Sequence, residues 1–335
     1  MGFKAGVTSL GSILCICLII FLFFSGCTDE REEKTQVRVL AAGSLLLPFE
    51  QIEKRFEEKY PETDVLVEGH GSIQCIRQVT DLNRQFDIVA VADDSLIPIL
   101  MYRPMPKSEK NWTDSHELFG RTEMVLAYTN KSAYAGEIST ENWYEILMKP
   151  DVRFGCANPV LDASGYRAIM VLALADRFYN RTDILDTIYT GQFSPGIPVR
   201  MDELVTQILL PDVMKPSSRK VTIRDGSIFL LSLLQTGGID YALEYRCVAE
   251  GENLKYISLP DAINLGNTSY ADNYKSAVVD LNFKRFSTID LTRIGAPIVY
   301  AVCIPALAEH PEEARVFIAE LTGDNSDVLG MPYPI

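Results

Sequence analysis

Only three histidines and two tryptophans occur in the 335 residues, and no two of the seven cysteines stand in a CxxC spacing. His70, His116 and His310 are far apart, so a histidine metal centre has little support, and a zinc or iron–sulfur site lacks its closely grouped ligands. Positive charge is also scarce. Lys and Arg number 31 against 45 Asp and Glu, a net charge of -14 that counts against a nucleic-acid partner. No lysine follows a glycine-rich loop in the Walker manner, so the chain is not an ATPase. Neither Ser44 nor Ser72 has a GxSxG context, and only His70 lies near them in sequence, so no nucleophile–base pair emerges and no enzyme is expected. Internal repeats and low-complexity tracts are absent.

What remains is the composition of an ordinary globular protein, 47% hydrophobic and 23% charged, long enough for two lobes or domains. One long apolar run stands out, from Val7 to Phe24, preceded by Lys4 and closed by Ser25, Gly26 and Cys27. Residues 1–27 read as a signal segment. Its ending resembles the lipobox of exported lipoproteins, with Cys27 as the lipidated residue and Phe24 where an aliphatic one is usual. An uncleaved membrane helix is the alternative, since roughly 18 apolar residues nearly span a bilayer. Either anchor leaves the body on the outer face of the cytoplasmic membrane, behind a polar tether at residues 28–36. Beyond Cys27 the cysteines are Cys75, Cys156, Cys247 and Cys303, for which an outside location permits disulfides of unspecified pairing. Asn111, Asn130, Asn180 and Asn267 begin N-glycosylation triplets.

The body is organised around Val37–Tyr60. A buried-strand run, Val37 to Ala41, breaks at Gly43-Ser44 and resumes with helical spacing at Leu46, Phe49, Ile52 and Phe56. Such a turn leaves backbone N–H groups unpaired at a helix start, where the dipole favours an anion. The arrangement recurs at Gly71-Ser72, at Asp162-Ala163-Ser164 and at Gly226-Ser227. Strands alternating with helices predict an α/β fold with largely parallel sheets, in which these turns gather at the carboxyl ends of the strands. Their donors are hydroxyls and backbone N–H groups, without Lys or Arg. That set suits an anion held by aligned dipoles; four independent helix caps would show the same local pattern.

The segments VRVLAAGSLLLPFEQIEKRFEEKYPE, EGHGSIQCIRQVTDL, FDIVAVADDSLIP, NPVLDASGYRA, LLQTGGIDYALEYRCVA, LPDAINLGN and APIVYAVCIP resemble, in order and wording, the archaeal-type tungstate/molybdate-binding proteins of ABC importers. The resemblance covers nearly all of the chain beyond the leader. It implies a two-lobed class II periplasmic-binding-protein-like fold, each lobe a mostly parallel sheet flanked by helices. Residues 37–125 and 299–335 would form lobe 1 and residues 126–298 lobe 2. It implies no cofactor, a tungstate or molybdate ligand in the cleft, and importer permease and ATPase subunits as partners. The ligand residues it assigns are Gly43, Ser44 and Ser72 from the first lobe. From the second come Asp162, as a carboxylate facing the metal of the oxyanion, with Ala163 and Ser164 beside it, and Tyr245.

One departure concerns Ser227. The family usually reads RPKET there, with its glutamate as a second metal-facing carboxylate, whereas this chain reads Arg224-Asp225-Gly226-Ser227. Ser227 is then free to donate to an oxygen of the anion, and six-coordination of the metal is no longer implied. Asp225 and Glu244 are nearby carboxylates, neither in register. Sulfate or phosphate as ligand, or a lipid-anchored sensor on the same fold, are the competing readings.

Overall fold

β1 (Thr35–Ala42) is apolar enough to be covered on both faces, and Val37, Val39, Leu40 and Ala41 expose no surface. The computed structural model describes residues 1–2, 34–281 and 291–335. The leader with Cys27, and the tether up to residue 33, lie outside the described residues. Met1–Lys34 and Thr35–Ile335 are separate units, and the second is the subject below.

A one-turn segment at Gly43–Leu45 carries β1 into α1 (Leu46–Lys59), whose Phe49, Ile52 and Phe56 are buried at helical spacing. Burying each such side chain contributes about 1.5–3 kcal/mol. β2 (Thr63–His70) leads into α2 (Ser72–Thr80), and β3 (Ile88–Val91) into α3 (Leu96–Met101). Ile73, Ile76 and Val79 face the core from α2, but Leu82 falls beyond its end and is exposed. β4 (Glu117–Thr122) and β5 (Met124–Tyr128) follow, with Glu123 alone between them. Then come α4 (Trp143–Met148), β6 (Phe154–Ala157), the nearly all-buried α5 (Ala163–Phe178) and α6 (Ile184–Ile188). Next are β7 (Val199–Met201), β8 (Thr206–Leu209), β9 (Val221–Arg224) and α7 (Ile228–Thr236). α7 stops at Gly237, whose φ of 75° is the left-handed cap that glycine adopts without strain. β10 (Tyr241–Tyr245), α8 (Arg246–Gly251), β11 (Lys255–Ser258), α9 (Ala271–Tyr274) and β12 (Ala277–Leu281) precede β13 (Leu291–Ile294), β14 (Ile298–Cys303) and α10 (Pro311–Leu321).

The strands form three sheets, ordered β2-β1-β3-β14-β4, β11-β5-β10-β6-β9 and β13-β12-β8-β7. Parallel pairing holds where a helix crosses over, among β2, β1 and β3 and among β10, β6 and β9. It gives way to antiparallel pairing at β14 and β5, so both five-stranded sheets are mixed. The reason is connectivity: β5 and β14 each follow a strand of another sheet within a few residues, without the crossover that a parallel neighbour needs. The third sheet was not anticipated. Its strands are short and partly exposed, which hides their period of two from the sequence. Among the described residues no helix is long and apolar enough to cross a membrane.

Candidate functional site

Six of the parallel-running strands deliver chemistry at or just beyond their carboxyl ends. β1 leads to Ser44, β2 to Ser72, β3 to Asp93, β6 through a short turn to Asp162 and β9 to Ser227, while β10 ends at Tyr245, and all six residues are buried. The turns meet across the fold. A side-chain carbon on Gly71 would fall 2.4 Å from the Leu161 carbonyl oxygen, and the Gln74 N–H donates to that same oxygen at 3.1 Å. Only glycine admits that approach. Gly43 and Ser44 line a narrow cavity with Ser227 and Ile228, of about 20 Å³.

Asp162 caps α5. Its Oδ1 accepts from the Ser164 N–H at 2.9 Å and from the Ser164 hydroxyl at 3.1 Å, while Oδ2 accepts from the Ser227 N–H at 3.1 Å. The capping role and the meeting of the two turns therefore coexist in one side chain. Burial raises its carboxyl above the ordinary value, against the Ser164 and Ser227 bonds that lower it. Ala163, fully buried, is the first residue of α5.

The serines divide by what they do with their protons. The Ser44 hydroxyl accepts from Tyr300 at 3.1 Å, and the Ser72 hydroxyl accepts from the Ala92 N–H at 3.0 Å. Each is oriented by the bond it accepts and keeps its own O–H to donate. Ser164 spends its hydroxyl proton on Asp162, and Ser227 spends its N–H there. Tyr245 is more than core packing: its hydroxyl accepts from Arg167 at 2.8 Å, and its ring lies edge-on to Tyr300 at 6.0 Å.

Beneath these groups lies a charged network absent from the sequence-based site. Asp93 accepts from Arg293 at 2.8 Å and from the Tyr166 hydroxyl, with Arg167 at 3.5 Å, and Arg167 also donates to the Ala92 carbonyl. Burial alone would raise the Asp93 carboxyl, yet Arg293 and Arg167 hold it well below the usual carboxylate range. One signal pointed to Arg167: it and Asp176 are buried charges in an otherwise apolar stretch of α5, and such charges are rarely left unpaired.

Glu244 completes the group. It is 1% exposed, its Oε1 accepts the Tyr245 N–H at 2.8 Å, and its Oε2 has no hydrogen-bond partner. Burial pushes its carboxyl up to about 8; the Tyr245 N–H and the nearby Ser227 hydroxyl, which makes no hydrogen bond to Oε2, oppose the rise and the charge on Asp162 adds to it. Asp225 is not buried, and its carboxyl stands 3.5 Å from the Asn158 amide. Cys75, Cys156, Cys247 and Cys303 are buried free thiols, so none of the permitted disulfides forms among them. Among the described residues no group of three or more His, Cys, Asp or Glu is placed to hold a metal ion.

Residues 37–326 match the family described as bacterial extracellular solute-binding protein. The chain belongs to this family. Among relatives in the solute-binding protein family, molybdate/tungstate-binding protein WtpA of Pyrococcus abyssi is 36% identical over 326 residues, covering 94% of this chain and 88% of the relative. An uncharacterized solute-binding protein of Methanoculleus marisnigri is 36% identical over 330 residues, covering 95% and 89%. The resemblance drawn from the motifs is borne out by WtpA. In fold, the chain is similar to the periplasmic molybdate-binding protein of Azotobacter vinelandii (TM-score 0.57, 14% identity, 89% of this chain and 99% of that one). It is also similar to the sulfate-binding protein SubI of Mycobacterium tuberculosis (TM-score 0.52, 12% identity, 90% and 87%). These neighbours are periplasmic binding proteins, so the solute-binding chain has their two-lobed α/β fold.

Proposed function

We propose that the protein captures tungstate or molybdate in the cleft between its two lobes and delivers it to the permease and ATPase subunits of an ABC importer. The observation that carries this is the pair of buried hydroxyls, Ser44 and Ser72, each oriented by an accepted bond and left with a proton to donate. They stand beside helix starts that come from distant parts of the chain. A tetrahedral oxyanion takes many donors and offers none, so it suits such a seat, and the 36% identical WtpA supports the choice of tungstate or molybdate. Gly43, Ser44, Ser72, Asp162, Ala163, Ser164, Ser227 and Tyr245 are the proposed binding residues, with Asp162 facing the metal of the oxyanion. Lobe 1 is taken as residues 37–125 with 299–335, and lobe 2 as residues 126–298. The chain changes sheet at Glu123, between β4 and β5, and again between β13 and β14, close to those limits, which fall just inside β5 and β14.

The family's extracellular character agrees with a place on the outer face of the cytoplasmic membrane. A lipid on Cys27 is the proposed anchor; a Cys27→Ser protein that stays in the membrane fraction would overturn it. Calorimetric titration with tungstate, molybdate, sulfate and phosphate tests the function. Saturable one-to-one binding of tungstate or molybdate, at least tenfold tighter than sulfate or phosphate, is expected. Preference for sulfate or phosphate would reassign the ligand, and binding of none would overturn the reading.

A further inference from the structure

Glu244 carries an oxygen that the described protein does not use. It is the fourth residue of β10, the middle strand of the second sheet. On one side β10 pairs with β6, which runs on to the Asp162 turn, and beyond β6 lies β9, which runs on to Ser227. Its cross-strand neighbour on β5 is the apolar Val125. Asp162 and Ser227 act on the Glu244 carboxyl, and Cys156, Tyr245 and Cys247 are the other titratable groups that feel it. Oε1 is satisfied by the Tyr245 N–H, whereas Oε2, equally buried, has no partner. A buried carboxyl oxygen without a partner is a cost to the fold, and one retained beside a binding site calls for a functional account.

We propose that Glu244 contacts the bound anion through Oε2 and is the second carboxyl group of the site. Ser227 has a one-carbon side chain and an N–H committed to Asp162, while the longer Glu244 lies on β10, whose parallel neighbour β6 runs on to the Asp162 turn. A neutral Glu244 donates Oε2–H to an oxygen of the anion; an ionised one offers Oε2 as a hard ligand to the tungsten or molybdenum centre. Both contacts need the oxygen in place, so the inference depends on position and not on titration. It rests on the oxyanion reading above and adds a contact that the sequence motifs did not assign.

The test uses the full-length protein, with tungstate as probe and Glu244→Met as the main variant. If Glu244 were only structural, exchanging its bond to the Tyr245 N–H and its unpartnered Oε2 for an apolar side chain would leave tungstate affinity unchanged. A ligand contact predicts at least tenfold weaker tungstate binding with a melting temperature no lower than that of the unaltered protein. Affinity within about twofold overturns the inference. Should Glu244→Met melt lower, the decision passes to Glu244→Gln, which keeps an acceptor for the Tyr245 N–H. The infrared difference spectrum on adding tungstate should contain a carboxyl band that Glu244→Gln lacks; identical spectra overturn the inference. If the unaltered protein binds no oxyanion, the function itself fails. If it binds tungstate and Glu244→Met binds equally well, only the role of Glu244 fails.

Discussion

Replacing Asp93 by Asn tests whether the buried charge network holds the fold together below the anion site. Asp93 is 4% exposed and faces two guanidinium groups, Arg293 at 2.8 Å and Arg167 at 3.5 Å. Its other oxygen accepts from the Ser95 N–H at 3.1 Å and the Ser95 hydroxyl at 2.5 Å. Neither arginine sheds its proton at any pH of interest, so Asn at this position leaves two buried cations without their anion. Breaking a buried pair in this way costs about 3–5 kcal/mol. At roughly 2–4 °C per kcal/mol for a chain somewhat shorter than this one, the melting temperature should fall by about 6–20 °C. The pH dependence supplies a second check. Because the folded-state value of Asp93 is depressed, its contribution is fully present above the ordinary carboxylate value. It is lost only as pH falls through the depressed one. The gap between Asp93→Asn and the unaltered protein should therefore be as large at pH 4.5 as at pH 7, measured by circular dichroism melts. A loss under about 1 kcal/mol, or a gap that closes at pH 4.5, would refute the reasoning.

Glu244 should behave oppositely. Its folded-state value is raised from 4.5 to about 8, so ionisation destabilises the fold progressively between those limits. At about 1.4 kcal/mol per pH unit, the effect is at most about 5 kcal/mol. Urea unfolding of Glu244→Gln should show an advantage over the unaltered protein that grows from pH 5 to pH 8, and a constant difference would contradict it. Burial raises the thiols of Cys75 and Cys156, takes Cys247 to about 11 and Cys303 to about 12. These four should react with a disulfide reagent at pH 8 only on unfolding; rapid labelling of the native protein would count against their burial. Small-angle scattering should show a smaller radius of gyration with tungstate than without, and equal radii would mean that the free protein already rests closed.

The parts of the fold legible in the sequence were those where an apolar run met a glycine or serine break. β1 and α1 fall where the Gly43-Ser44 break puts them, and helices start at or beside the Ser72, Asp162 and Ser227 turns. The third sheet was not legible, because strands such as Val199–Met201 and Thr206–Leu209 are too short and too exposed to show a period of two. The site divides similarly. Serines at strand ends announce themselves locally, but Arg167 meets Ala92 and Asp93 from more than 70 positions away, and Arg293 meets Asp93 from 200. Glu244 was visible only as a carboxylate out of register. That its Oε2 lacks a partner is a property of three sheet strands together, which no spacing encodes.

Native mass spectrometry of the protein in an equimolar mixture of tungstate, molybdate, sulfate and phosphate tests the central claim most directly. The account predicts a single retained oxyanion per chain with the mass of tungstate or molybdate, and its loss when Ser44 and Ser72 are both replaced by Ala. A spectrum with no retained anion, or one dominated by sulfate or phosphate, would contradict it.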